Sequence, residues 1–198
     1  MQKVLFISSR PLFPVVGGDQ IRTVQQLEFL LQRYRVDVLY MTESKEQDVT
    51  KEHLLSVDNV FCFHVPKWRC YWQTLHFLFN AKPLQVNYYY NKRVQRFIAE
   101  HLSEYDIMFC NNIRTAEYVW LAKDVRKYID FVDAISMNYA KAQHKAKGLK
   151  KLIYKIDGRR CARYEQQVIR NFDNCAIISE VDKQYLLDYG TDNPCGRE

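Results

Sequence analysis

No apolar run in this chain approaches the roughly 20 residues that a membrane-spanning helix needs. The short apolar start meets Arg10-Pro11 too soon to serve as a signal peptide, so a cytoplasmic compartment is expected. There are six cysteines but no Cys-x-x-Cys pair and no Cys/His cluster at zinc spacing, which removes metal-finger and disulfide-framework readings. Gly-x-Gly-x-x-Gly and a Walker lysine are both missing, so neither a dinucleotide fingerprint nor a P-loop fits. There is no Asp-x-Asp pair to hold a divalent metal, and no repeat or low-complexity stretch. Hydrophobic residues make up 47% and charged residues 26%, the balance of an ordinary folded domain. At 198 residues one α/β domain is comfortable and two would be cramped.

What is present begins with Val4 to Ile7, an unbroken apolar run closed by Ser8, Ser9, Arg10 and Pro11. Such a run fits a central strand buried on both faces. Pro11 and Pro14 forbid regular structure, Gly17-Gly18 permits a turn, and Ile21, Val24, Leu27 and Leu31 recur at helical spacing. The order strand, glycine turn, helix places Gly17 and Gly18 where backbone amides can meet a phosphate or a sugar hydroxyl. The competing reading is a structural turn in which Asp19 caps the helix.

Further strands are expected at Val36 to Met41, Val60 to Val65, Asp106 to Cys110, Tyr128 to Val132 and Cys175 to Ile178, alternating with helical patterns. That alternation predicts an α/β, Rossmann-like fold of about six or seven parallel strands with helices on both faces. It runs over residues 1–190 and leaves 191–198 as an irregular tail. Trp68, Tyr71, Trp72, Leu75, Leu78 and Phe79 form a stripe at helical spacing, read first as core and second as a surface facing lipid or a bulky acceptor. Pro83 to Tyr90 reads as a tyrosine-rich link, and Asn91 as a helix cap. Strand ends deliver Asn111, Arg114, Asp133, Ser136 and, with Glu180 at a helix start, Ser179 to a shared crevice.

The net charge of +6 is unevenly spread, since ten of the 29 basic residues lie between Lys141 and Arg170, facing only Asp157 and Glu165. A long helix from about Lys147 to Phe172 carries them, with Leu149, Leu152, Ile153, Ile156, Tyr164, Val168 and Phe172 on its apolar side. Lys150, Lys151, Lys155 and Arg159 read either as a solvated face or as a contact for anionic lipid head groups. No nucleic-acid motif accompanies the charge, and nucleic acid is not an expected partner.

Taken in order, Phe6-Ile-Ser-Ser-Arg-Pro-Leu-Phe-Pro14, Gly17-Gly-Asp-Gln-Ile-Arg-Thr23, Asp130-Phe-Val-Asp-Ala-Ile-Ser136, Tyr164-Glu165, Phe172-Asp173 and Ile178-Ser-Glu-Val-Asp182 resemble the amino-terminal half of family 4 glycosyltransferases. The likeness is nearest to sugar transferases of bacterial exopolysaccharide systems. It implies half of a GT-B fold: an acceptor-side lobe whose donor-binding partner lobe is absent from this sequence. It implies a retaining transfer from a nucleotide-diphosphate sugar to a glycan or lipid-linked acceptor, with no tightly bound cofactor or metal, and no catalysis by this half alone.

The resemblance sets Gly17 and Gly18 beside the donor, with Asp19 among the candidate substrate contacts, and puts Asp133, the catalytic candidate, where many relatives carry a histidine. A carboxylate can only accept from a sugar hydroxyl, so Asp133 reads either that way or as a cap. Arg22 and Arg114 read as acceptor or phosphate contacts, or else as surface ion-pair partners. The rival functional reading is a stand-alone Rossmann-type module that binds an anionic ligand or a protein without chemistry, because no complete catalytic set is present.

Overall fold

The computed structural model describes residues 1–44 and 49–192. Strand β1 (Lys3–Ser8) leads through a proline-rich loop into α1 (Gly18–Leu31), then β2 (Arg35–Thr42), α2 (Thr50–His53) and β3 (Asn59–His64). Helices α3 (Lys67–Thr74), α4 (Leu84–Tyr89) and α5 (Lys92–His101) precede β4 (Ile107–Asn111). After it come α6 (Ile113–Ala116), β5 (Arg126–Asp130), α7 (Ile135–Lys145), α8 (Gly148–Asn171), β6 (Asn174–Ala176) and α9 (Glu180–Asp192). All pairings are parallel, in the order β3-β2-β1-β4-β5-β6. The expected α/β, Rossmann-like arrangement is therefore the observed one. The strand order reverses between β1 and β4, the switch point outside which such sheets open a crevice.

The two-sided burial of β1 follows from its residues. Leu5 and Ile7 enter a core with Val94, Ile98 and Met108, whereas Val4 and Phe6 face the opposite way onto Leu27 and Leu30 of α1. Phe6 stacks on Phe109 with centroids 5.1 Å apart, and truncating so buried a ring costs about 3–5 kcal/mol. At the amino edge, buried Asp37 is closed off by Lys3 at 3.0 Å, the Tyr105 hydroxyl at 2.8 Å and the Asn59 amide at 2.9 Å.

Three expectations need correction. Trp68, Tyr71, Trp72, Leu75, Leu78 and Phe79 are exposed rather than core, because α3 and the following 3-10 turn pack on α4 instead of on the sheet. Residues 84–89 are helix, not a link. The long basic helix is preceded by a separate helix, α7, and the pair forms a hairpin. Gly148 makes its turn at φ +56°, backbone that glycine adopts without strain, and Gly158 lets α8 approach Tyr139, where an added Cβ would sit 3.1 Å from the tyrosine Cβ. Because α8 packs chiefly along α7 rather than on the sheet, Leu149, Leu152, Ile153 and Ile156 in its first half stay exposed, while Tyr164, Val168 and Phe172 are buried as expected. The expected tail begins inside α9, and residues 193–198 lie outside the described residues. Among the described residues no helix is long and apolar enough to cross a membrane.

Candidate functional site at the carboxyl edge of the sheet

Asn111 ends β4, and Gly17, Asp133 and Ser179 follow the carboxyl ends of β1, β5 and β6, so one sheet edge carries all four. A cavity of about 450 Å³ opens there, between Ser9, Arg10 and Phe13 after β1, Met41 and Thr42 of β2, Lys67 and Cys70 of α3, and Tyr89 of α4. Val16 and Gln20 also line it, which sets the amino end of α1 at its mouth. Gln20 fastens the preceding loop, accepting from the Val16 amide at 2.9 Å and donating to the Pro11 carbonyl at 3.3 Å.

Gly17 is the N-cap of α1 in extended conformation at φ −132°, and Gly18 is its first helical residue, so neither needs the unusual backbone angles that the sequence suggested. Asp19 lies in the first turn rather than at the cap, and it pairs with Arg10. That pairing disposes of the expected Asp cap and neutralises the carboxylate that would repel an anion.

Arg22 reaches across to β5, donating Nε and Nη2 to the two oxygens of buried Asp130 at 2.7 and 3.0 Å; Gln26 adds a third donor at 2.6 Å. Hydrogen bonding to Asp130 raises the Arg22 pKa. Asn111 is buried, its amide donated to Thr23 Oγ1 at 3.0 Å. Ser136 is buried against Glu165, which accepts from its amide at 3.2 Å and from its hydroxyl. Burial pushes Glu165 up to about 7, against the Ser136 hydrogen bonds that favour its ionised form. Ser179 accepts from the Asp182 amide at 3.4 Å, one half of a capping box; Asp182 spends its carboxylate on the Ala134 amide at 3.2 Å. Glu180 is exposed and pairs with Lys183 at 3.0 Å.

Two of the expected side chains at this edge have no oppositely charged partner within 4.0 Å among the described residues. Asp133 is half-buried and projects after a tight turn in which its amide donates to the Phe131 carbonyl at 2.8 Å, around Val132 at φ 67°. A β-branched residue in that region stores on the order of 1–3 kcal/mol, and such strain gathers where a side chain must be aimed. Burial raises the Asp133 pKa, Asn138 opposes that by donating to the carboxylate, and Asp182 adds to it.

Arg114 is the second. Asn112, itself at φ 70°, caps α6 by accepting from the Arg114 amide at 3.4 Å and so fixes the arginine at the end of β4. The guanidinium donates Nε to Gln85 at 2.8 Å and lies over the Tyr89 ring at 5.1 Å. Among the described residues no carboxylate lies within 4.0 Å of it. Burial lowers its pKa and the charge of Arg10 pushes the same way, while Asp133 and Asp19 act against them from a distance. Tyr89 thus stands between the cavity and a cation that has no counter-ion.

Gln85 and Tyr89 were not singled out by sequence. Pro83 followed by Leu84 and Val86 was the available signal, since proline sits well just ahead of a helix. Lys150, Lys151, Lys155 and Arg159 are exposed on α8 and do not line the cavity.

No protein-family model and no curated protein matches the sequence. Among solved structures, the crystal structure of Clostridium botulinum phage c-st TubZ aligns over 98% of this chain and 61% of that one, at 12% identity and a TM-score of 0.44. This chain therefore spans less than two thirds of that protein's length. A likeness so distant says nothing of activity.

Proposed function

We propose that this chain is the acceptor-side lobe of a retaining glycosyltransferase, passing a sugar from a nucleotide-diphosphate sugar to a glycan or lipid-linked acceptor in cell-surface polysaccharide synthesis. Arg114 carries the reading: a part-buried guanidinium with no carboxylate beside it among the described residues, at the switch-point edge, near a cavity with an aromatic wall. A planar fork of this kind suits a phosphate or diphosphate, which it holds bidentately. Tyr89 offers a ring to a sugar or an isoprenoid chain, and Asp133 accepts from a sugar hydroxyl near the reacting centre.

The nucleotide sugar arrives on a second lobe facing the same edge. Leaving diphosphate is then met by the amino end of α1 and by backbone amides rather than by a resident metal. The basic residues of α8 hold the assembly at the anionic inner face of the membrane.

The cavity supports one further reading, a binding module for an anionic ligand without chemistry. Among the described residues its lining holds one carboxylate, Glu43, and no histidine. Calorimetric titration with a short-chain prenyl-diphosphate sugar separates the two. Binding should weaken about 10–100-fold in Arg114→Met, the worth of a charge-assisted hydrogen bond. Binding that is absent, or identical in the variant, overturns the transferase reading. Tight binding only of anions unrelated to sugars and lipids establishes the module.

A further inference from the structure

The stripe from Trp68 to Phe79 has the spacing of a core helix and yet faces outward, with Trp68 66%, Trp72 67% and Phe79 86% exposed. It is fastened from below. Tyr71 packs edge-on against Tyr88 at 5.6 Å, and Arg160 of α8 donates to the Phe77 carbonyl at 2.6 Å with its guanidinium 3.7 Å from that ring's centroid. The Arg160 contact brings the stripe edge to edge with the hairpin, whose Leu149, Leu152, Ile153 and Ile156 are exposed as well.

We propose that these two elements form one docking surface for an anionic lipid bilayer. Trp68, Trp72, Leu78 and Phe79 enter the boundary between head groups and acyl chains, and Lys150, Lys151 and Lys155 lie against the phosphates. The inference rests on the basic-helix part of the functional reading and is independent of sugar transfer.

Charge argues for the bilayer over a protein partner. No Asp or Glu occurs from Asn59 to Ala99, and the two acids of α8, Asp157 and Glu165, are both fully buried. Every exposed charge on the paired elements is therefore positive. Protein interface cores are depleted in lysine, whereas lysine stems lie along a membrane surface with their heads at the phosphates. Tryptophan suits a boundary that is apolar on one side and wet on the other.

The test is sedimentation with phosphatidylcholine vesicles, with and without phosphatidylglycerol, together with tryptophan emission. The chain should bind only the anionic vesicles, with a blue shift. Each lysine near the surface contributes about fivefold, so Lys150→Gln/Lys151→Gln/Lys155→Gln should bind about 100-fold more weakly. Of the three tryptophans only Trp120 remains in Trp68→Phe/Trp72→Phe, and that variant should lose the shift. All five side chains are exposed, so unchanged melting curves confirm folding. Absence of binding to anionic vesicles, or a blue shift that survives in Trp68→Phe/Trp72→Phe, overturns the proposal. So does a lipid-free, concentration-dependent shift, which would make a second copy the occupant.

Discussion

Arg22 and Arg114 flank the same switch point, one early in the helix after β1 and the other at the start of the helix after β4, and their surroundings differ in kind. Arg22 spends its fork on the two oxygens of Asp130, a carboxylate with no exposure that also receives Gln26 and, at 3.4 Å, the Val132 amide. Arg114 has a neutral amide and a ring. A fold that needs a cation for cohesion gives it a buried carboxylate. A cation held by neutral partners keeps its charge for something that is not part of the chain.

Asp130→Ala would test the cohesive half of this contrast and should have the largest effect. It leaves a part-buried guanidinium and the Gln26 amide without their acceptor, a loss of about 3–5 kcal/mol. Urea denaturation should register it, with a melting temperature lowered by roughly 10 °C. A loss below about 1 kcal/mol would mean that water already satisfies Arg22, and the two arginines would then be alike.

Glu165 sharpens the comparison from the opposite side, as a fully buried carboxylate with no cation paired to it among the described residues. It is met by the Ser136 amide and hydroxyl, with Asp133 and Tyr185 nearby in the electrostatic field. Because burial lifts its pKa from 4.5 to about 7, the folded state holds a proton that the unfolded state releases. The stabilisation is complete below the unfolded value and is lost as pH rises through about 7. Unfolding free energy should thus fall by about 3 kcal/mol between about pH 5 and about pH 8, and Glu165→Gln should flatten that slope. An equally steep slope in the variant would place the titration elsewhere.

Tyr118 joins the two environments. Its hydroxyl donates to the Tyr89 carbonyl at 2.5 Å and accepts from the Asn91 amide at 2.8 Å, which fixes the end of α4 that carries Tyr89. Tyr118→Phe leaves both backbone groups unmet in a buried place, a cost of about 2 kcal/mol. If Tyr89 is the wall of the ligand cavity, binding of a prenyl-diphosphate sugar should weaken as well. Lost stability with unchanged binding would detach Tyr89 from the site.

Where these features were legible in sequence depended on how local their causes are. The strand Val4 to Ile7 and the Asn91 cap depend on neighbours within a few residues; both were readable, and Asn91 accepts from the Arg93 amide at 2.8 Å. The partner of Arg22 lies 108 residues away, and that of Ser136 lies 29 away, distances no periodicity reports. Helical spacing says that Trp68, Trp72 and Phe79, or Leu149 and Leu152, share a face. It does not say whether anything covers that face, because covering depends on α3 packing on α4 and α8 on α7 rather than on the sheet. Arg114 was readable as a residue at a strand end, but its lack of a carboxylate belongs to the folded chain alone.

Arg114→Met should change stability least. The methionine stem replaces most of the apolar contact with Tyr89, and among the described residues the side-chain bond removed is the one to Gln85, so no buried carboxylate is stranded. Removing a part-desolvated charge also relieves the burial cost that lowers its pKa. Denaturation should therefore move by less than about 1 kcal/mol in either direction, against the several lost in Asp130→Ala. Capture of a diphosphate-bearing ligand should weaken about 10–100-fold all the same. A large loss of stability in Arg114→Met would show that the guanidinium holds the fold together as Arg22 does, and the carboxyl edge would then lack its free cation.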